Sequence, residues 1–327
     1  MRIAVLTSGG VAPGINAAVR AVAQVAFHEG WEVLGVLDGY AGLMEGRFER
    51  LDPEELGGAI QRGGSMLGNA RSEEFSSEGG RERALERLRE AGMDGLVVIG
   101  GGGSLSGGLA LGELGMPVVG IPATIDNDVA GTDMAIGVDT ALNTAVEALD
   151  RIKDSAYTHG RAHVVKVLGR DCGYLALMSA ILGDAEAALV PEFESDPERL
   201  LKLLQTAYDS GKQHFIVVVS EGAEPSAEEL ARYINEAGDA YGTDLTALDH
   251  LQSGGKPNAF DRILASRLGA AAVESLAEGD TGNMVGLRGS EIARIPLSEA
   301  LAGERPMDYA TYRLVSILAG MPEPGSG

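Results

Sequence analysis

Ile121-Pro122-Ala123-Thr124-Ile125-Asp126-Asn127-Asp128, directly after the apolar run Val118–Ile121, decides how the rest of this chain is read. Apolar or small residues followed by Pro and a cluster of carboxylates mark a buried strand whose carboxyl end opens into a polar loop. In open parallel sheets ligands gather at that end. Asp126 and Asp128 stand two apart, so extended backbone would put both on one face. One could then act as a base while the other held a metal or oriented its neighbour. A turn using Asp and Asn for their tolerance of awkward backbone fits the same residues equally well.

The preceding segment tips the balance. Asp94 leads into Gly95–Ile99, a buried strand, then Gly100-Gly101-Gly102-Gly103, then Ser104, placed to cap a helix over Leu105–Leu114. A glycine loop between a strand and a helix start turns backbone N–H groups and the helix dipole toward a phosphate. Two neighbouring strands thus end in a phosphate cradle and a carboxylate pair, the parts phosphoryl transfer requires.

Working outward, the 327 residues accommodate two lobes or one large α/β unit. With 45% hydrophobic residues the core is ample, and 47 Gly suit many tight strand-to-helix turns. A formal charge of -22 and a pI of about 4.6 argue against nucleic acid or an anionic membrane as partner. Cys172 is the single cysteine, which excludes an internal disulfide and a metal-ligating cysteine pair. Met1-Arg2 runs straight into an apolar strand, so no signal peptide is expected, and no apolar run reaches bilayer-crossing length. The expectation is a soluble, cytoplasmic protein.

Strands are expected at Ile3–Leu6 and Glu32–Leu37, with a glycine loop at 7–14 and a helix over Ile15–Glu29. Gly39–Gly42 reads as a turn, Gln61–Phe75 as a functional loop and Arg81–Ala91 as a charged surface helix. An amphipathic helix over Thr140–Ala156 precedes a second strand–helix series starting near Val164. That series carries Gly169-Arg170 after one strand and Ser220-Glu221-Gly222 after another. Strands near Leu245–Leu248, Met284–Leu287 and Glu291–Ile295, and helices over Ala259–Glu278 and Met307–Leu318, complete it. Such alternation predicts an α/β fold, two lobes of parallel sheets with helices on both faces.

From Arg2 to about Leu318 the chain resembles the phosphofructokinases that phosphorylate the 1-hydroxyl of fructose 6-phosphate. The matching residues are LTSGG at 6–10, PGINAAVR at 13–20, GYAGL at 39–43, RGGS at 62–65 and ARSEEF at 70–75. GLVVIGG at 95–101, TIDND at 124–128, GTDMAIGVDTALNT at 131–144, GR at 169–170, SEG at 220–222 and AFDRILASRLGA at 259–270 continue the series. The resemblance implies a larger nucleotide-binding lobe of residues 1–138 with 251–303 and a smaller sugar-phosphate lobe of 139–250 with 304–319. It implies Asp126 as general base with Thr124 and Asp128 beside it, and Arg170 near the transferring phosphoryl group. Arg161, Glu221, His250, Leu168 and Gly169 would hold the sugar phosphate. Gly10, Tyr40, Arg71, Ser72, Gly101, Gly102, Gly103 and Ser104 would hold the nucleotide. ATP and Mg²⁺ are the implied cosubstrate and metal, glycolysis the implied setting, and a cytoplasmic homotetramer the implied assembly, with Arg161 and position 244 supplied to a neighbour's sugar-phosphate site.

Several chemically demanding positions depart from that pattern. ATP-using relatives read GGDGS and TSGGD; here Gly102 and Val11 stand where the Asp residues would be, so the metal ligand at position 102 is missing. Ala123 replaces a Gly that is Lys in diphosphate-using members. Ser253 and Asp244 replace two Arg residues that contact the 6-phosphate. At the effector site Arg20 and Lys212 remain, while Gln24, Lys153, Gly58 and Asp184 replace Arg, Arg, Asp and Gly. Two readings stay open. One is a phosphotransferase of weak or altered activity; the other is a catalytically inactive paralogue that senses ligands or joins a mixed assembly with an active phosphofructokinase.

Overall fold

The computed structural model describes residues 1–70, 72–209, 211–212, 214–237, 242–303 and 305–320. In chain order the elements are β1 (Arg2–Thr7), α1 (Ile15–His28), β2 (Glu32–Val36), α2 (Gly39–Glu45), β3 (Phe48–Arg50), α3 (Glu78–Glu90), β4 (Gly95–Gly100), α4 (Gly102–Glu113) and β5 (Val118–Pro122). Then come α5 (Val138–His159), β6 (Ala162–Val167), α6 (Tyr174–Leu182), β7 (Ala187–Leu189), α7 (Pro197–Asp209), β8 (Phe215–Ser220), α8 (Ala227–Glu236) and β9 (Thr243–Ala247). The last are α9 (Ala259–Ala277), β10 (Asn283–Arg288), β11 (Glu291–Pro296), α10 (Leu297–Ala302) and α11 (Tyr309–Leu318). They divide into two compact units, Met1–Thr140 with Ser253–Arg305, and Ala141–Gln252 with Pro306–Gly327.

The first unit is built on a seven-stranded sheet in the order β11-β10-β5-β4-β1-β2-β3. Its five inner strands are parallel, while β3 and β11 pair antiparallel at the edges. The expected parallel core is thus flanked by one antiparallel strand at each edge. Between β10 and β11 only Gly289 and Ser290 intervene, and so short a connection joins antiparallel strands only. β3 escaped notice because Phe48-Glu49-Arg50 is too short and too charged to show a period. Alternate strand residues face opposite sides. Ala4, Leu6, Leu96, Val98 and Val118 pack with Leu43, Leu88, Leu105 and Leu111 from the helices on one side. Their neighbours Ile3, Val5, Val97 and Val119 are fully buried as well.

Gly39–Gly42, expected as a turn, is the first part of helix α2. The chain reverses one residue earlier, at Asp38, which adopts a left-handed φ of 54°. Helical spacing then buries Tyr40, Leu43 and Met44 together. α9 starts at an Asn258 cap, and its buried Asp261 accepts from Gly137 N at 2.8 Å, Thr140 N at 2.8 Å and Thr140 Oγ1 at 2.5 Å. This carboxylate occupies the amino end of α5, where helix N–H groups lack partners. Burial raises its pKa, and the three donors oppose that rise.

The second unit carries a four-stranded, wholly parallel sheet in the order β7-β8-β6-β9. Val165, Val167, Ile216 and Val218 pack with Leu149, Ala176, Leu177 and Ala180. Val164, Val217 and Val219 pack with Leu200, Leu204, Leu230 and Ile234. Helices thus cover both faces, which is why these strands read as continuous apolar runs.

Candidate active site

In the first unit the strand order turns around between β1 and β4: from β1 the sheet grows through β2, from β4 through β5. Such a switch point leaves a crevice beyond the strand ends. The two loops that flank it pack closely. Ser8 N donates to Ile99 O at 3.2 Å, and a Cβ on Gly100 would fall 2.5 Å from Ser8 O and 2.7 Å from Ser104 Cβ. Only glycine allows that approach.

Ser104, expected as a cap, lies instead inside α4, which begins at Gly102 with Gly101 before it and no side chain capping its end. The first-turn N–H groups of a helix have no partners along the helix itself. With no side chain supplying an acceptor, those of Gly102 and Gly103 suit an anion's oxygens. A Cβ on Gly102 or Gly103 would meet nothing within 4 Å, so a side chain would fit at either position. Gly10 is exposed, and its carbonyl accepts from Asn69 Nδ2 at 3.1 Å. Tyr40 is buried beneath this end, not open to a ligand. Its hydroxyl donates to Ser104 O at 2.6 Å and its ring stacks on Phe75 with centroids 3.9 Å apart. Burial raises its pKa, so the hydroxyl keeps its proton. Ser72 Oγ accepts from Phe75 N at 3.3 Å. Arg71 lies outside the described residues.

The acidic loop is hydrogen-bonded to the glycine turn. Ala123 N donates to Gly100 O at 2.9 Å, Thr124 N to Ile136 O at 3.1 Å and Asp126 N to Thr124 Oγ1 at 3.2 Å. A Cβ on Gly101 would stand 3.5 Å from Thr124 Cβ. The backbone from 124 to 128 is not extended, however. Asn127 takes a left-handed φ of 55°, so the two-residue period that would align Asp126 with Asp128 does not apply. Asp126 is half-buried and Asp128 exposed. Buried Asn127 imposes this shape: its Oδ1 accepts from Ala135 N at 3.0 Å and its Nδ2 donates to Asp133 O at 3.2 Å.

In the second unit three strand ends meet. Past β6, Leu168-Gly169-Arg170 is bonded to the end of β8 through Glu221 N to Val167 O at 2.9 Å, Gly222 N to Gly169 O at 3.0 Å and Ser220 Oγ to Gly169 O at 2.5 Å. Gly169 has a φ of 130°, and a Cβ on Gly222 would fall onto the Arg170 carbonyl, so both motifs need their glycines. Arg170 Nη2 and Glu221 Oε1 are 3.9 Å apart, beyond hydrogen-bonding reach, with the Arg side chain 73% exposed. A pair this open contributes little to stability and leaves the guanidinium available to a ligand. From the β9 side, Leu248 N donates to Lys166 O at 2.9 Å, and exposed His250 follows in the turn Asp249–Leu251. Arg161 is not part of this gathering. It precedes β6, at the opposite end of the strand, and its Nη1 pairs with Asp244 Oδ1 at 2.9 Å.

Three buried amides or hydroxyls that sequence reasoning missed shape these loops. Asn16 donates to Arg62 O and Gly63 O, both at 3.1 Å, and accepts from Met66 N at 2.7 Å. Asn127 and Ser220 act as described above. Each lies inside a matching motif, but single polar residues carry no periodic signal that they are buried. Lys153 Nζ pairs with Asp184 Oδ2 at 2.9 Å, and Lys212 Nζ with buried Glu186 Oε1 at 2.6 Å, so carboxylates of this chain already neutralise both cations.

Phosphate fits the first unit because the amino end of α4 is uncapped, with open space over Gly102 and Gly103. A Mg²⁺ ion bound with phosphates needs only one or two carboxylates. Asp126 and Asp128, on the loop bonded to the glycine turn, offer that number. Among the described residues no group of three His, Cys, Asp or Glu is placed to hold a metal alone. None of the helices among those residues is long and apolar enough to cross a membrane.

The phosphofructokinase family model matches residues 2–276. Over 320 residues the chain is 44% identical to the ATP-dependent 6-phosphofructokinase of Natranaerobius thermophilus, covering 97% of this chain and 99% of that protein. It is 47% identical over 319 residues to the ATP-dependent 6-phosphofructokinase of Thermotoga neapolitana, with the same coverage, 97% and 99%. Among solved structures, phosphofructokinase from Saccharomyces cerevisiae aligns with a TM-score of 0.85 and 34% identity over 98% of this chain, which spans 47% of the yeast chain.

Proposed function

Because the chain belongs to the phosphofructokinase family, we propose that it transfers the terminal phosphoryl group of ATP to the 1-hydroxyl of fructose 6-phosphate, at a reduced rate. The observation that carries this reading is the direct bonding of the glycine turn at 100–103 to the loop bearing Thr124 and Asp126. A phosphate cradle and a general base on one hydrogen-bonded platform answer the main need of phosphoryl transfer, which is positioning.

In this reading Asp126 accepts the proton of the sugar's 1-hydroxyl as its oxygen bonds to the γ-phosphorus and the bond to ADP breaks. The amides at the start of α4 receive phosphate oxygens. The resemblance assigns Arg170 and Arg71 to the charge that develops on the transferring group. Glu221 and His250 bind the sugar phosphate, with Leu168 and Gly169 lining its place. Mg²⁺ bound with ATP would neutralise phosphate charge, and with Asp126 serving as base, Asp128 is the carboxylate of this loop that would hold it. Arg161 is separated from Arg170 by the length of β6, roughly 20 Å. That distance favours an assembly, a homotetramer by resemblance, in which Arg161 serves a neighbouring chain's sugar phosphate.

The reduced rate follows from Gly102, Val11, Ser253 and Asp244. Removing one preorganised charge from such a site costs about 3–4 kcal/mol, two to three orders of magnitude in rate. Two lost charge-assisted contacts to a phosphate are worth about 1.5–3 kcal/mol each. A coupled assay with ATP, Mg²⁺ or Mn²⁺ and a panel of sugar phosphates tests the proposal. Turnover no higher than that of an Asp126→Ala control would sink it.

One observation favours the second reading, a ligand-sensing or partner subunit. Asp244 neutralises Arg161 within the chain, so the arginine offered to a neighbour is already engaged. Native mass spectrometry with an active phosphofructokinase decides it: stable mixed assemblies support the reading, and separate homogeneous ones with unassisted turnover remove it.

A further inference from the structure

Beyond the end of β6 the second unit contains a substitution of side chain for backbone. β9 runs beside β6 from Thr243 to Ala247, and Leu248 N still reaches Lys166 O. There β9 leaves the sheet for the turn at Asp249–Leu251, and among the described residues no further peptide group of that strand bonds to β6. The next inward amide, Leu168 N, donates instead to the side chain of Gln252, at 2.9 Å from Oε1. A carboxamide has the donor and acceptor of a peptide group, so Gln252 continues the ladder by one rung.

Gln252 is fully buried, and its Nε2 has no partner among the described residues. An unpaired buried donor costs free energy that Met, of similar length, would avoid. The residue is therefore poorly explained as packing. What it supplies is the acceptor. On the β8 side, Gly169 O is held by Gly222 N and Ser220 Oγ. Gln252 supplies the opposite hold, so Leu168-Gly169-Arg170 is gripped from both flanks.

We propose that Gln252 is a positioning residue for the sugar-phosphate end of the site, fixing Leu168, Gly169 and Arg170 through its bond to Leu168 N. It touches neither substrate. The proposal rests on the phosphotransfer reading above, and its tests keep the two apart.

Gln252→Met removes the acceptor and the unpaired donor together. The expected result is a melting temperature equal to or above that of the wild type, with the KM for fructose 6-phosphate raised about three- to tenfold and that for ATP unchanged within twofold. A merely structural residue would lower stability and leave that split absent. Gln252→Glu keeps an oxygen opposite Leu168 N and should return the fructose 6-phosphate KM to within about threefold of the wild type. An unchanged KM in the Met variant, or a Glu variant as impaired as Met, overturns the proposal. If neither variant folds, hydrogen exchange in the wild type decides. Slow exchange at the Leu168 amide supports the proposal, and exchange as fast as in the exposed turn at 249–251 overturns it. The exchange measurement also stands if the wild type proves unable to use fructose 6-phosphate, which would defeat the phosphotransfer reading alone.

Discussion

The strand ends of the two units offer groups suited to an anion in different ways. In the first, the sheet ends in backbone: four glycines, an uncapped helix and a loop shaped by Asn127. In the second, it ends in charged side chains, Arg170, Glu221 and His250, carried on turns whose glycines serve only to let them pack. A backbone cradle survives most substitutions, because peptide groups do not mutate. A side-chain site is rewritten one residue at a time. The departures at 102 and 11 fit the first half of this contrast: the cradle keeps its backbone form and lacks the carboxylates that the resemblance implies.

The contrast can be attacked experimentally. The largest effect is expected from Asp126→Asn, which keeps the side chain's shape and removes the base. Its kcat should fall about 10²- to 10⁴-fold, with little change in melting temperature or in either KM. A drop below tenfold in steady-state kinetics would place the base elsewhere. Next is Gly102→Asp. Open space surrounds the added side chain, and acidic residues suit a helix's first turn. Activity with Mg²⁺ should rise about 10²-fold if the missing carboxylate limits the rate, without loss of stability. Unchanged turnover would show that the cradle's loss of charge is not what slows it.

Gly222→Ala, set beside Gly102→Ala, probes the other unit with the same single added methyl. There the Cβ falls onto the Arg170 carbonyl, so the turn must shift, at about 1–3 kcal/mol and with weaker fructose 6-phosphate binding. Calorimetric unfolding and titration of fructose 6-phosphate read both effects. Equal tolerance of Gly102→Ala and Gly222→Ala would erase the distinction between the ends.

The smallest effect concerns His163, whose ring Nε2 bonds Thr246 Oγ1 at 2.8 Å. Burial holds its pKa below the ordinary value, with Asp244 pulling it upward less strongly. The unfolded chain therefore binds more protons as pH falls through about 6.5. Stability is lost on that acid side, and the group has no effect well above it. Melting temperatures between pH 7.5 and 5.5 should fall more steeply in the wild type than in His163→Gln, and parallel slopes would refute this.

Much of the fold was legible because it rests on period and punctuation. The helix over Tyr174–Leu182 and the strand ending before Gly169 follow from apolar runs broken by glycine. What escaped depends on partners distant in sequence. α2 looked like a turn because two glycines flank Tyr40, and only burial against Phe75 and Ser104 makes a helix of it. Ser104 has the chemistry of a cap, but glycines before it accept helical backbone once packed, so the helix starts earlier. Asp126 and Asp128 have the spacing of an extended pair, and the left-handed turn at Asn127 is stabilised by residues 133 and 135.

By itself the amino-acid order determined the alternation of strands and helices, the glycine turns between them and the identity of each charged group, because these depend on neighbours within one or two turns of chain. Only the tertiary structure decided which of those groups stand together. Arg161 is removed from Arg170 by the direction of one strand, and Gln252 meets Leu168 across 84 intervening steps of chain. Such meetings are set by the packing of whole sheets, whose energy is shared among many residues and is written in no single motif.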